Sequence, residues 1–327
     1  MGSPLSKTND DKKGDFDALV LSGGGCKALG EAGALLELER RGVLQHIRKF
    51  AGTSAGTILC CMLVVGYTAA QIVETHCKLD MRNILDMDHS IIGITLSAAK
   101  HKGLCRGEWL LNYVRQLIGE KLGPENCDIS FEDVYQLTGN EFIAAVTRGG
   151  SNGRLEYMSR FTTPTLPIAM AVRMSCSIPG VYAPFNWKGN DYVDGGVCDN
   201  YPLHIWNHEK PRLPNLSERI SPRTLGIKLG DGHRNYLQLL ENDDYPAVVP
   251  DIFTFLLDTL MIPMEQIELM RSTQPGYWEQ TILVKPEGAS ALSVNMGRDR
   301  QEALLRRGQL ASAHFMEARK PVQVRHL

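Results

Sequence analysis

The sequence predicts an α/β fold built from strands that are each followed by a helix. Two stretches carry this prediction, because residues 16–21 and 47–51 are short apolar runs that lead through a glycine-rich turn into a helical apolar pattern. Residues 18–21 are apolar without alternation, as expected for a strand that is buried on both faces of a parallel sheet. Units of strand, turn and helix in this order are typical of α/β proteins.

Composition argues against several classes of function. With 35 basic and 37 acidic residues the chain has a formal charge of −2, so nucleic-acid binding through a basic face is not expected. The longest apolar run, residues 58–65, is far shorter than the ~20 residues of a membrane-spanning helix. No signal-peptide pattern opens the chain. None of the eight cysteines belongs to a C-x-x-C pair, so free thiols in a reducing, cytoplasmic compartment are expected.

The first 15 residues are polar and aperiodic, which predicts a disordered tail. They also match the N-myristoylation pattern, with Gly2 as the acceptor and Ser6 at the required position. Two alternatives stay open: an unmodified disordered tail, and a cloning remnant that begins Met-Gly-Ser.

A glycine-rich loop, Ser-Gly-Gly-Gly-Cys-Lys-Ala at residues 22–28, follows the first strand and opens a helix that stops at Gly42. N–H groups that converge at a helix N-terminus form an anion site. The loop also fits the dinucleotide pattern G-x-G-x-x-[G/A], which requires an acidic residue at the end of the second strand. That strand ends at residues 50–52, Phe-Ala-Gly, so nucleotide binding at residues 23–28 is the weaker alternative.

The second strand passes through Gly-Thr-Ser-Ala-Gly at residues 52–56 into an apolar helix. A Gly-x-Ser-x-Gly turn between a strand and a helix exposes the serine hydroxyl, and its glycines let the two elements approach closely. The N–H groups and the positive dipole end of the helix point towards negative charge that develops there. Ser54 is therefore the candidate nucleophile.

Local signals predict the remaining elements. Helices are expected at residues 68–78, 108–118, 130–137, 168–178 and 301–320, and strands at residues 141–147, 154–160, 225–229 and 280–284, with a hairpin at 185–193. Thr68 and Gln71 form a capping-box pattern, and Pro179 is expected to end the helix that starts after Pro167.

Two apolar segments have alternative interpretations. Residues 81–107 are either a mobile cover or a peripheral helix pair. Residues 251–270, interrupted by Pro263, are either a core helix or a membrane anchor.

An Asp-Gly-Gly turn at residues 194–196 follows the hairpin. Acyl transfer needs a nucleophile, a base that accepts its proton, and donors about 3 Å from the developing oxyanion. Ser54, Asp194 and the glycine-rich loop supply these groups if their strands belong to one sheet. Of the five histidines that follow Asp194 in the chain, His204, His208 and His233 lie nearest to it. Each is more typical of a structural histidine than of a catalytic base, so a Ser–Asp dyad is favoured over a triad.

Three motifs in this order resemble the patatin-like phospholipase family: Gly-Gly-Gly-Cys-Lys at 23–27, Gly-Thr-Ser-Ala-Gly at 52–56 and Asp-Gly-Gly at 194–196. Three further stretches agree with the family: residues 102–108, 175–179 and 200–202. The resemblance covers residues 16–230 and extends more weakly to 290. We therefore predict a disordered tail (1–15), a patatin-like catalytic domain (16–290) and a C-terminal helical extension packed on it (291–327).

The resemblance implies a three-layer α/β sandwich with a central, mostly parallel sheet. The implied site comprises the dyad Ser54 and Asp194, the oxyanion-hole stretch Gly23, Gly24, Gly25, Cys26 and Lys27, the elbow glycines Gly52 and Gly56, and the turn glycines Gly195 and Gly196. One residue departs from the family pattern, because Ala28 stands where a glycine is usual. A methyl group is tolerated there if the φ angle is negative.

The family resemblance also implies a reaction, namely hydrolysis of fatty-acyl esters of membrane lipids, of the phospholipase A type, with no metal or other cofactor. The implied partner is a membrane phospholipid or another acyl-ester lipid, contacted peripherally through residues 81–107, residues 251–270 or an acylated Gly2. Whether a protein activator is needed stays open. The alternative functions are a lipid-binding or scaffolding protein with weak turnover on the same fold, and the nucleotide-binding protein considered above.

Overall fold

A computed structural model describes residues 16–80, 83, 86, 102–230, 252–286 and 296–319, with backbone only for residues 252–261. Its strands are β1 (Ala18–Leu21), β2 (Lys49–Thr53), β3 (Gly103–Cys105), β4 (Glu141–Arg148), β5 (Arg154–Ser159), β6 (Gly180–Tyr182), β7 (Phe185–Trp187), β8 (Asn190–Asp194), β9 (Thr224–Leu229) and β10 (Thr281–Val284). Its helices are α1 (Leu29–Arg40), α2 (Ala55–Val64), α3 (Ala69–Lys78), α4 (Glu108–Leu122), α5 (Phe131–Thr138), α6 (Ile168–Ser175), α7 (Ile252–Arg271) and α8 (Arg298–Ala318).

The central sheet has the strand order β10-β9-β1-β2-β4-β8-β7, and β5 also pairs with β4. The strands from β10 to β4 are parallel to one another, whereas β5, β7 and β8 form antiparallel pairs at one end. This arrangement confirms the predicted α/β fold with a mostly parallel central sheet.

Two apolar cores cover the sheet. Within β1, Leu19 and Leu21 pack into one core, and Ala18 and Val20 pack into the other. The first core also takes in apolar residues of helices α1 to α6 and α8. The second is closed by the segment at 201–206 and by nearby loop residues. Burial on both faces explains why the strand sequence is apolar without alternation.

Strand β4 brings the ends of β2 and β8 to the same place. Its residues 141–145 pair with β2, and its residues 146–148 pair with β8. Both partners must share one edge of β4, because β5 occupies the other edge along 143–148. Thr53 therefore lies opposite Ala145, and Asp194 lies opposite the next residue of β4. This register places Ser54 beside Asp194.

Helix α6 ends at Ser175, three residues before the predicted end at Ile178. Pro179 has no N–H to donate to the Ser175 carbonyl, and a residue that precedes proline disfavours the helical region. The proline therefore ends the helix before the chain reaches it.

Helix α7 runs through Pro263, so the predicted interruption is wrong. A proline inside a helix costs about 3 kcal/mol. The helix is held on the C-terminal side of the proline by two ion pairs, Glu268 with Lys228 and Arg271 with Asp199. These tertiary contacts outweigh the local preference.

Residues 103–105 form β3, which pairs in parallel with β6. This part of the 81–107 segment is neither a cover nor a helix, and most of the segment lies outside the described residues. A Cβ atom on Gly103 would overlap the backbone of Tyr182 and Ala183, so the close pairing depends on glycine.

The final helix, α8, packs against α1 through glycines. A Cβ atom on Gly33 would overlap the Leu305 backbone, and one on Gly308 would overlap the Gly30 backbone. The two helices thus approach with no side chain between them at these points. The predicted domain boundaries at 16, 290 and 327 stay predictions.

Candidate active site

Ser54 occupies the turn between β2 and α2 with φ 51° and ψ −129°. A positive φ is unusual for a residue other than glycine and is held only where surrounding contacts enforce it. The Ser54 N–H donates to the Ser175 hydroxyl (2.9 Å), which donates in turn to the Ala145 carbonyl (2.6 Å). The Ser54 carbonyl accepts from the Thr57 N–H (2.8 Å) and hydroxyl (2.6 Å). The backbone of Ser54 is fixed at both ends.

The elbow glycines allow β1, β2 and α2 to meet. A Cβ atom on Gly52 would lie 2.8 Å from the carbonyl carbon of Gly56. A Cβ atom on Gly56 would lie 2.7 Å from the Leu21 carbonyl oxygen and would also overlap the Ser22 carbonyl. No larger residue fits either position without moving the backbone that carries Ser54.

Asp194 ends β8, with only 5% of its surface exposed. Its Oδ1 accepts from the Gly196 N–H (2.7 Å), and its own N–H donates to the Ser177 carbonyl (2.9 Å). Gly195 packs on β4, where a Cβ atom would overlap the Ala145 carbonyl. The Asp-Gly-Gly turn therefore fixes the carboxyl group from both sides.

Burial raises the pKa of Asp194 to about 6, while the Ser54 side chain and the Gly196 N–H lower it in part. The buried Oδ2 has no hydrogen-bond partner among the described residues. The Ser54 hydroxyl lies close enough to the carboxyl group to lower its pKa. Catalytic hydrogen bonds are often long before substrate binds, so this arrangement suits a nucleophile and its base.

His204 and His208, the two described histidines that lie nearest after Asp194 in the chain, bond to other groups. The His204 ring bonds to the Tyr157 hydroxyl (3.2 Å) and the Arg212 carbonyl (3.3 Å), and burial lowers its pKa to about 4. His208 pairs with Glu218 at 2.9 Å. The remaining candidate, His233, lies outside the described residues. The geometry therefore favours Asp194 over His204 or His208 as the base.

The glycine-rich loop lies against the nucleophile. A Cβ atom on Gly23 would be 3.2 Å from the Ser54 Cβ. The Gly23 N–H donates to the Asn200 carbonyl (3.0 Å), and the Gly23 carbonyl accepts from Asn200 Nδ2 (3.2 Å). The N–H of Gly23 is therefore already occupied, which differs from its expected role as an oxyanion donor.

Gly24 and Gly25 have N–H groups without a hydrogen-bond partner in the described part of the chain. Gly25 has φ 54°, which glycine adopts readily. These two N–H groups remain as the candidate oxyanion donors. A Cβ atom on Gly24 would overlap the Leu229 side chain, so the loop also depends on glycine for its packing.

Cys26, Lys27 and Ala28 complete the loop. The Lys27 N–H donates to the Gly24 carbonyl (3.1 Å). Burial raises the pKa of the Cys26 thiol to about 11, so it stays protonated at neutral pH. Ala28 has φ −56°, and its methyl group therefore does not strain the turn.

Two residues that sequence analysis left without a role support the site, namely Ser175 and Asn200. Ser175 links the nucleophile to β4, and Asn200 links the glycine-rich loop to the segment after Asp194. Both belong to stretches that resemble the family, but neither spacing nor polarity indicates which backbone groups they bind. The one signal in the sequence is their position, because each is a polar residue within about 20 residues of Asp194.

The described residues contain no group of three or more His, Cys, Asp or Glu side chains arranged to hold a metal ion. Within the same ranges, no helix combines the length and the apolar content needed to span a bilayer.

Comparisons with known proteins place the chain in a family. The sequence profile described as patatin-like phospholipase matches residues 19–206, more than half of the chain. The protein YqhO of Bacillus subtilis (strain 168) is 30% identical over 214 residues, which are 62% of this chain and 71% of that protein. A probable lipid hydrolase of invertebrate iridescent virus 6 is 27% identical over 190 residues, 58% of this chain and 63% of the viral protein. The chain therefore matches less than two thirds of the viral protein.

A solved structure shares the fold. The crystal structure of VipD from Legionella pneumophila superposes with a TM-score of 0.58 and 16% identity, covering 93% of this chain and 67% of that chain. The profile match spans the glycine-rich loop, the serine elbow and the Asp-Gly-Gly turn. The fold brings them together, because β2 and β8 share one edge of β4 and Gly23 lies against Ser54. The chain belongs to the patatin-like phospholipase family.

Proposed function

We propose that this protein is a lipid acyl hydrolase of the phospholipase A type that works through a Ser54–Asp194 dyad. The observation that carries the proposal is the register of β4, which sets a strained, fixed serine beside a buried carboxyl group. Family membership and a relative named as a probable lipid hydrolase support lipid ester hydrolysis. The catalytic roles of Ser54 and Asp194 and the phospholipase A specificity are the more detailed parts of the proposal.

In the first half of the reaction, Asp194 accepts the Ser54 proton as Oγ attacks the acyl carbonyl carbon. The carbonyl oxygen becomes an oxyanion, which the N–H groups of Gly24 and Gly25 stabilise. The intermediate then collapses, the ester bond to the lipid alcohol breaks, and Asp194 gives its proton to the leaving oxygen. Ser54 is left acylated.

In the second half, water replaces the lipid alcohol. Asp194 accepts a proton from that water, the resulting nucleophile attacks the acyl carbon, and the same two N–H groups hold the second oxyanion. Collapse breaks the bond to Ser54 Oγ, which regains its proton from Asp194. The products are a fatty acid and the free enzyme.

The substrate resides in a lipid surface, so we propose a peripheral contact through α7. Among the α7 side chains that the structure describes, those of residues 262–271, Ile262, Leu269 and Met270 are apolar and exposed. Their spacing puts them on one side of the helix. On the inner side, Met264 Cε lies 3.0 Å from where a Cβ atom of Gly196 would be. The same helix thus carries an apolar outer surface and a contact with the turn that holds Asp194.

Other proposed contacts fall outside the described residues. These are the apolar residues Ile91, Ile92 and Leu96 and an acylated Gly2. A single acyl chain binds a membrane only marginally, so a second contact such as α7 would be required. We likewise propose a cytoplasmic, membrane-associated location. A requirement for a protein activator stays open.

The test is release of fatty acid from phospholipid in mixed micelles. Ser54→Ala removes the nucleophile and little buried volume, so the folded variant should lose at least ~10³-fold in kcat. Ser217→Ala, at an exposed serine far along the chain, is the matched control and should keep full activity. Near-normal release by a folded Ser54→Ala protein would refute the assignment. Lysophospholipid and neutral glyceride, tested in parallel, define the substrate class.

A further inference from the structure

Glu31 of α1 is a fully buried carboxyl group that the proposed mechanism does not use. Its Oε1 accepts two hydrogen bonds from Ser22, one from the N–H and one from the hydroxyl, both at 2.9 Å. Its Oε2 is buried and has no hydrogen-bond partner among the described residues. Burying a carboxyl group in this way costs free energy, so its presence calls for a role.

Ser22 is the first residue of the glycine-rich loop. Its N–H is shared between Glu31 and the Ile227 carbonyl (3.2 Å), and its hydroxyl accepts from the Leu229 N–H (2.9 Å). The Ser22 carbonyl lies so close to Gly56 that a Cβ atom there would overlap it. Glu31 therefore holds the residue that joins the oxyanion loop, β9 and the first turn of α2.

The position of the oxyanion donors follows from this contact. Gly24 is only two residues beyond Ser22, and its N–H has to point to the acyl oxygen when Ser54 attacks. A misplacement of about 1 Å can reduce a rate by ~10²-fold. A contact that fixes Ser22 through two hydrogen bonds thus controls the geometry of transition-state stabilisation.

The charge of Glu31 matters as well as its position. The titratable groups that interact with it are Lys228 of β9, Cys60 of α2 and the Tyr201 hydroxyl. The Lys228 ammonium group is paired with Glu268 of α7 at 2.9 Å, so it is not free to neutralise a second carboxylate fully. Burial raises the pKa of Glu31 to about 8, although Ser22 and Lys228 lower it in part. Glu31 is therefore neutral at pH 7.

We propose that Glu31 is a positioning residue of the oxyanion loop, and that the loop stabilises the acyl oxyanion best while Glu31 is uncharged. The inference rests on the proposed hydrolase function. An ionised Glu31 would place a negative charge behind the donors that receive the oxyanion. Like charges repel strongly in a site of low dielectric, so turnover should fall when Glu31 loses its proton.

The decisive variant is Glu31→Gln, which keeps an acceptor oxygen and the side-chain shape but cannot ionise. At pH 7 its kcat should lie within about twofold of the wild type. At pH 9, one unit above the pKa, the wild type should lose up to about tenfold relative to pH 7, whereas Glu31→Gln should not. The readout is kcat between pH 5 and 10 with a soluble acyl ester.

A second variant and a control separate positioning from charge. Glu31→Ala removes the acceptor and should lower kcat about tenfold or more at every pH, with little change in KM. Glu39→Gln changes another carboxyl group of α1, one that binds the Ala69 N–H, and should keep the wild-type profile. Circular dichroism establishes that each variant is folded.

The inference would be overturned if the kcat of Glu31→Gln also fell between pH 7 and 9. Full turnover by a folded Glu31→Ala protein would overturn it too. If Glu31→Ala does not fold, the Glu31→Gln profile decides alone. If only the inference about Glu31 is wrong, the wild type still hydrolyses the ester and Ser54→Ala does not. If the proposed hydrolase function itself is wrong, the wild type shows no Ser54-dependent turnover at any pH, and the inference about Glu31 fails as well.

Discussion

In the proposed mechanism Asp194 is a base inside a buried site, and burial has two measurable consequences for it. The first concerns the reaction. Because burial raises the pKa of Asp194 to about 6 and a base works only when ionised, kcat/KM should rise with pH through about 6. Asp194→Asn keeps the shape but cannot accept the proton, so it should lose ~10²–10⁴-fold in kcat. If Asp194→Asn stayed active while His204→Ala or His208→Ala lost activity, the result would indicate a triad instead of the dyad.

The second consequence concerns stability. The pKa is about 6 in the folded state and about 3.9 in an unfolded chain, so the folded state binds more protons between these values. The free energy of unfolding should therefore fall as pH rises from about 4 to 6. Asp194→Asn removes this loss and should be more stable than the wild type by about 1–3 kcal/mol at pH 7, but not at pH 3. Denaturant unfolding at both pH values measures the difference, and equal stability at pH 7 would contradict the account.

At the scale of elements, the glycine-rich loop is the most sensitive part of the site. In Gly24→Val the new side chain would overlap Leu229 and displace the N–H group that receives the oxyanion. Losing one such donor typically costs about 10²–10³-fold in kcat. Gly297→Ala is the matched control, because its φ is −63° and, its two chain neighbours aside, no atom of the described residues lies within 4 Å of the added Cβ. An unchanged kcat in folded Gly24→Val would mean that other groups bind the oxyanion.

Elements with strong local signals were predictable from the sequence. The capping box of Thr68 and Gln71 is present, and the strand, serine turn and helix around Ser54 form as predicted. Each depends on residues within a few positions of one another, which is the range over which capping and turn chemistry act. The same holds for the hairpin that leads to Asp194.

Elements that depend on distant contacts were not predictable. The continuity of α7 through Pro263 depends on neighbours remote in sequence, because its ion pairs reach Lys228 and Asp199. The candidate site divides in the same way. Motifs indicated Ser54 and Asp194, but the bond that occupies the Gly23 N–H comes from Asn200, 177 residues away. No local pattern records such a partner.

For the whole molecule, the outer surface of α7 predicts how the protein meets its substrate. Replacing Ile262, Leu269 and Met270 together by serine should reduce vesicle co-sedimentation and vesicle hydrolysis by at least about tenfold, because apolar burial contributes roughly 1.5–3 kcal/mol per side chain. Turnover of a soluble short-chain ester should not change. Binding should depend only weakly on salt, since the chain has a formal charge of −2.

The control for this surface is a pair of exposed leucines on other helices. Leu137→Ser and Leu310→Ser together remove two exposed apolar side chains from α5 and α8 and should leave vesicle binding intact. If the control pair loses binding as much as the α7 variant does, or if binding falls steeply with salt, α7 is not the contact.

The central claim is that Ser54 is the nucleophile of an acyl hydrolase with Asp194 as its base. A fluorophosphonate probe followed by peptide mapping in a mass spectrometer tests it most directly. The account predicts one adduct, on Ser54, formed in parallel with the loss of acyl-ester turnover and much more slowly in Asp194→Asn. An adduct on another serine that abolishes turnover, or full turnover after Ser54 is completely labelled, would contradict it.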